Sequence, residues 1–274
     1  MLSFTTQTVS AAEKAKASDS QQTSNIKKSS AYDVNFRRYM MDRGMYTFNP
    51  TDRVSIAPAN EATLKAILQH PQDLSSSPEI TQKVYQQYLK KQNDAFSHAD
   101  VMSKVLPILL GDFSNYSYSK NCTVNNPKPV TKPLGNTDIA TLQPDHYDGL
   151  AVSEVPLKIR MALSRYIESH KSKMRPCLPN FLLEAKGKNQ SVPQGQLQAL
   201  HDGVVGERAM MKIARYAKQA SYDSAHTISA VYHAGAAIVE IPSTHAIQAE
   251  HRVEADLALQ ELPWTSDSTR FGLE

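Results

Sequence analysis

Leu178-Pro179-Asn180-Phe181-Leu182-Leu183-Glu184-Ala185-Lys186-Gly187-Lys188 is a short apolar run that passes directly into a carboxylate and an ammonium and stops at glycine. Strand side chains alternate between faces, which sets Phe181, Leu183 and Ala185 on one side and Leu182, Glu184 and Lys186 on the other. The stretch therefore reads as a buried strand with an acid and a base side by side at its end. Burying such charges is costly unless they pair with each other, a metal or a substrate. Taken alone, Glu-x-Lys is more often a surface pair on an edge strand, so the surrounding chain has to decide.

The flanks read as alternating helices and strands. Downstream, Gln196–Ala217 has helical periodicity, with Leu197, Leu200, Val204, Met211 and Ala214 on one face. Arg208, Lys212 and Arg215 form a basic stripe beside that face. It is a candidate for phosphate contact against the default of a solvated surface. Residues 188–195 read as a polar loop. Thr227–Tyr232 and Ala236–Ile241 read as a hairpin, and His251–Leu262 as a further helix. Upstream, Val155–Ile167 is an amphipathic helix, with Val155, Ile159, Leu163 and Tyr166 or Ile167 inward. Between Asp112 and Gln143 the composition implies loops and weak strands, with a turn at Asn125-Asn126-Pro127. The acidic and aromatic cluster Pro144-Asp145-His146-Tyr147-Asp148-Gly149 follows.

Nearer the N-terminus, short helices are expected over Val34, Phe36, Tyr39, Met40 and Met41, ended by Gly44, and from Asn60 with Leu64, Ile67 and Leu68 as the stripe, closed by Pro71. Ser77-Pro78 signals another start. Ile80, Val84 and Tyr88, then Val101, Val105 and Leu109, continue at helical spacing to Gly111 as one long helix or two abutting ones. Residues 1–31 are rich in Ser, Thr, Gln, Ala and Lys, which reads as a disordered tail. The expected organisation is that tail followed by one α/β (α+β) domain over residues 32–274, a small mixed sheet flanked by helices with extra helices at the N-terminus.

Composition narrows the function classes. A net charge of +3 demands no polyanionic partner by itself, so any basic face has to be local. Two cysteines, Cys122 and Cys177, make neither a disulfide scaffold nor a zinc site and read as buried thiols in a reducing compartment. There is no apolar run of membrane-spanning length and no secretory h-region. The expectation is an intracellular protein, nuclear or cytoplasmic, with no membrane partner. His226, His233 and His245 show no zinc spacing and read as structural histidines, Trp264 as a packing anchor, and Asp202-Gly203 as helix packing.

If Asp145 lies at the end of a strand next to the Glu184 strand, the two carboxylates, with the Ala185 carbonyl, offer oxygen ligands to Mg²⁺ or Mn²⁺. Asp148 is the alternative to Asp145. Lys186 can orient a water or neutralise developing charge, and Gln198, early in the next helix, can hold the water or a phosphate oxygen.

In this order the residues resemble the PD-(D/E)XK nuclease-like domain family of fungal proteins, distantly related to the lambda-exonuclease and RecB type. Pro144–Gly149 matches its Pro-Asp-x-Tyr-Asp-Gly element, and Pro179–Gly187 its Pro-Asn-Phe-Phe-x-Glu-Ala-Lys-Gly element. Gln198–Met210 resembles its following helix, and His226-Thr227-Ile228 through Tyr232-His233 its hairpin. The resemblance implies a three-layer core of αβββαβ type and a divalent-metal phosphodiesterase site. Asp145 and Glu184 would be its metal ligands, Lys186 the catalytic lysine and Gln198 the helix glutamine. DNA is the implied substrate. His98 stands where the family carries a Glu, and His201 where a Tyr is common. The alternative is therefore a catalytically degenerate nuclease fold that serves as a nucleic-acid or protein interaction module.

Overall fold

The computed structural model describes residues 27–47, 56–69, 82–111, 117–124, 137–167, 175–246 and 264–272. The chain opens with β1 (Lys27–Ser29), α1 (Phe36–Met41) and β2 (Met45–Tyr46), then α2 (Glu61–Gln69) and α3 (Gln82–Asn93). Next come α4 (His98–Asp100), a π-helical turn at Val101–Val105 and α5 (Leu106–Leu110). After β3 (Ser117–Lys120), β4 (Thr137–Ile139) and β5 (His146–Leu150), α6 (Leu157–Ile167) leads into β6 (Cys177–Lys186). The long helix α7 (Val192–Tyr216) follows, then β7 (Ala225–His233), β8 (Ile238–Ala246) and β9 (Trp264–Gly272).

β6 and β7 are parallel, and parallel neighbours need a crossover; α7 supplies it. The remaining pairings of the central sheet are antiparallel except β2 with β9, giving the order β2-β9-β8-β7-β6-β5-β3. The alternation expected for β6 decides what covers each face. Leu183 and Ala185, with Ala230 and Tyr232 of β7, pack against Tyr88, Val101, Val105 and Leu106. Leu182, with Tyr147 of β5, packs the other way against Val205 of α7. The sheet thus lies between α3–α5 on one side and α7 on the other, a three-layer mixed α/β arrangement. Tyr147, Leu182 and Tyr232 are fully enclosed, and burial of each side chain is worth about 1.5–3 kcal/mol.

The helix α7 is buried without a break from Ala199 to Val205 and on to Glu207, because α1 and α6 cover the parts of it that the sheet does not. Phe36, Met40 and Met45 pack on Leu200, Val204 and Met211, while Val155, Leu163 and Ile167 share a cluster with Ala209. Close helix–sheet approach is made possible by small residues. A Cβ on Gly206 would lie 2.8 Å from the Pro179 carbonyl oxygen and 2.7 Å from Thr227 Cγ2.

The expected hairpin forms, longer than its alternating core. Several expectations need correction. Lys27–Ser29, read as part of the tail, form a strand: β1 pairs in parallel with β4, and Ser29 is buried. The apolar stripe of α2 does not pack inward, since Ile67 and Leu68 remain exposed. Of the two options for residues 82–110, the structure takes the broken one. Ser97 accepts from the Asp100 N–H while Asp100 accepts from the Ser97 N–H, a capping box that restarts the helix. The helix α7 begins before Gln196 because Ser191 caps it and Pro193 fits its first turn, so the supposed loop is shorter. The Ser77-Pro78 start, the Asn125–Pro127 turn, the closing Pro71 and the His251–Leu262 helix lie outside the described residues, as do the Trp264 side chain and residues 1–26. Among the described residues no helix is long and apolar enough to cross a membrane.

Candidate functional site

Nine consecutive buried positions on a helix would ordinarily be apolar. Here they include His201, Asp202 and Glu207, so something must compensate for them. For Asp202 the surroundings are the end of β6. Glu184 and Lys186 share a face of that strand, as alternation requires, and Lys186 Nζ stands 2.7 Å from Glu184 Oε2 with both side chains almost fully enclosed. Asp202 shares a hydrogen bond with Glu184 across the helix–sheet interface. Burial, reinforced by the neighbouring Glu184, pushes the Asp202 carboxyl well above the ordinary carboxylate range. Glu184 is also raised, first by burial and then by the nearby Asp145, with Lys186 acting against both.

Asp145 precedes β5, whose register pairs His146 with Leu183 and so brings Asp145 level with Glu184. Its Oδ2 accepts the Ala185 N–H at 2.8 Å. Its Oδ1 lies 2.9 Å from His98 Nε2. His98 reaches it because α4 starts against the end of β6, an approach that glycine permits. A Cβ on Gly187 would meet His98 N and Phe96 O at 3.0 Å each. Asp148 lies elsewhere. It pairs with His146 at 2.7 Å, and His146 rings contact Tyr118 and Phe181 on the other face of the sheet. Of the two alternatives, Asp145 is the carboxylate beside Glu184.

Gln198 joins the site through helix geometry. Gly195, Gln198 and Asp202 follow one another at three and four residues on one face of α7. A Cβ on Gly195 would touch Lys186 Cγ at 3.1 Å, and Asp202 meets Glu184, so Gln198 stands between them. Its Oε1 is buried without a hydrogen-bond partner, as is Oδ2 of Asp202.

The structure therefore brings Asp145, Glu184 and Lys186 together, puts Gln198 on the α7 face that meets them, and adds two groups that sequence reasoning left out of the site. Asp202, read as packing, sits in it; its position four residues after Gln198 was the available signal. His98, read as a departure, is a partner of Asp145. The basic stripe does not join them. Arg208 projects from a different face of α7, near Arg43 and His201, and burial pushes its guanidinium down to about 10. Lys212 lies 4.9 Å above the Tyr166 ring, and Arg215 donates to Tyr222 Oη at 3.0 Å. These last two cations sit more than two turns beyond Asp202 and are engaged with their own chain.

The donor set decides what could be held here. Asp145 and Glu184 are hard oxygen ligands, the class that suits Mg²⁺ or Mn²⁺. Among the described residues no group of three His, Cys, Asp or Glu side chains is arranged to hold a metal ion. Mg²⁺ is commonly bound by one or two carboxylates completed by water and phosphate oxygens, and the pair fits that mode. Two histidines of the hairpin region have partners within the fold, and a third is buried. His226 pairs with Glu207, His233 Nε2 lies 2.9 Å from the Gln190 carbonyl, and His245 is buried in β8. Cys122 and Cys177 are buried thiols. No protein-family model matches this chain, and no curated protein matches it.

Proposed function

We propose that the protein is a divalent-metal-dependent phosphodiesterase of the PD-(D/E)XK type acting on DNA. The observation that carries this reading is the meeting of Asp145, Glu184 and Lys186 at the ends of β5 and β6, under the α7 face bearing Gln198 and Asp202. Asp145 and Glu184 would hold Mg²⁺ or Mn²⁺, which when bound would polarise the scissile phosphate and lower the pKa of a bound water. The Ala185 N–H fixes Asp145, so that carboxylate needs little reorganisation to bind. Lys186 offsets the negative charge that grows on the phosphate oxygens as water attacks phosphorus and the ester P–O bond breaks. Gln198, with a buried unpartnered oxygen, accepts a hydrogen bond from the attacking water and orients it. Asp202 and Glu184, both raised by burial, share a proton across their hydrogen bond, and the pair gives up part of it when a cation binds.

One observation favours the second reading, a degenerate nuclease fold used as a nucleic-acid or protein interaction module. His98 occupies Asp145 Oδ1, and a family Glu is missing at that position. Plasmid cleavage in Mg²⁺ or Mn²⁺ separates the two. The first reading expects metal-dependent cleavage that falls about 10³-fold in Glu184→Gln and in Lys186→Met. Wild-type protein that binds DNA without cutting it in either metal supports the module instead.

A further inference from the structure

The loop from Asp94 to Ser97 closes against the end of β6, and it carries a large apolar side chain that the fold leaves in solvent. Phe96 is 66% exposed. Its own carbonyl lies against Gly187, and the next residue but one, His98, holds Asp145. The ring is therefore at the rim of the candidate site and not on a remote surface. Lys188 lies 4.4 Å over the ring and donates to the Asn93 carbonyl at 2.5 Å, which fixes a cation beside the aromatic face. The rim continues along α3 as a groove of about 490 Å³ lined by Gln87, Lys90, Lys91, Asp94, Lys104 and Ile108. Lys90 and Lys91 are exposed there, while the acid nearest Lys104, Asp100, is committed to it at 2.6 Å. Cationic side chains next to a solvent-exposed aromatic ring are what unpaired nucleic acid requires. Phosphates follow the charges, and a base, freed from its stack, lies on the ring.

We propose that Phe96 is a stacking platform for single-stranded DNA, with Lys188, Lys90 and Lys91 tracking its phosphates toward Glu184. The inference names the substrate form for the phosphodiesterase reading and rests on it. Duplex DNA keeps its base faces stacked, so it gains the lysines but not the ring.

Fluorescence anisotropy of a labelled oligothymidine tests this, with EDTA present to prevent cleavage, against a duplex and an oligouridine of equal length. Wild type is expected to bind the oligothymidine more tightly than the duplex. Phe96→Ala should weaken that binding about tenfold, Phe96→Trp should restore it, and the Lys90→Ala/Lys91→Ala double variant should flatten its salt dependence. Glu184→Gln should still bind. Because Phe96 is exposed, its replacement leaves the core intact, and unfolding curves check this. Unchanged affinity in Phe96→Ala, equal binding of duplex, preference for oligouridine, or no binding at all would overturn the proposal. Cleavage that depends on Glu184 but not on Phe96 leaves the phosphodiesterase reading standing and removes this one. Phe96-dependent binding without cleavage does the reverse.

Discussion

Asp202 and Glu207 stand less than two turns apart on α7, and both are buried acids raised by burial, yet their surroundings are opposite. Both oxygens of Glu207 are engaged by His226. Its Oε2 accepts the His226 N–H at 2.8 Å, its Oε1 lies 2.7 Å from His226 Nδ1, and Glu207 in turn raises the His226 imidazole. Asp202 faces Glu184 and Asp145, with only Lys186 to offset the charge, and one of its oxygens has no partner. The same helix thus carries a closed acid–base clamp and an acid cluster left incomplete. Burial does not mark a site. Burial without compensation does, because a fold retains such a cluster at a cost to its own stability.

The comparison can be broken at its strongest point by removing Glu207. Glu207→Leu leaves the His226 N–H and ring unpaired, and urea unfolding should show a loss of about 3 kcal/mol or more. A change within a few tenths would mean the clamp is not structural. Next in size is a third buried polar group of α7. His201, packed edge-on to Phe36, is pushed down to about 4 by burial and by Arg208 and Arg43, against an ordinary 6.5. The unfolded chain takes up this proton below 6.5 and the native one does not until about 4. The contribution is therefore present above 6.5 and is lost as pH falls toward 4, to a limit of about 3 kcal/mol. Stability measured across that window should be flatter by that amount in His201→Leu, and a parallel curve would contradict the assignment.

The smallest effect is the most telling. Asp202→Asn keeps the shape and removes the strained acid, so stability should change by within about 1 kcal/mol, with any gain larger at high pH. The sign follows from the raised carboxyl: what the protonated group contributes is present at low pH and is lost as pH rises through its native value. A cost matching that of Glu207→Leu would erase the distinction between the two acids.

Much of this was legible in the chain. Alternation along Phe181–Lys186 placed Glu184 and Lys186 on one face and Leu183 and Ala185 on the other, because a strand of period two has no freedom in that respect. The helical repeat placed Leu200, Val204 and Met211 against α1. What was not legible came from contacts distant in sequence. Nothing local reveals that Gly187 lets α4 reach Asp145, or that His98 would meet a carboxylate from another element. Asp202 was passed over because a helix reading assigns its neighbours Leu200 and Val204 to the core without saying what the opposite face touches. The surroundings of the basic stripe were hidden for the same reason. Periodicity set Arg208, Lys212 and Arg215 together, but Tyr166 of α6 and Tyr222, which meet Lys212 and Arg215, are packed there only in the folded chain.

The most direct measurement is calorimetric titration of Mn²⁺ into the protein in two buffers of different ionisation enthalpy, for wild type and Glu184→Gln. Carboxylate ligation competes with protons, so binding at the Glu184 and Asp202 cluster should release a fraction of a proton or more per metal. The account predicts saturable binding at one site with proton release in wild type, and loss of both in Glu184→Gln. Binding that is unchanged in the variant, or no binding to wild type, would contradict it.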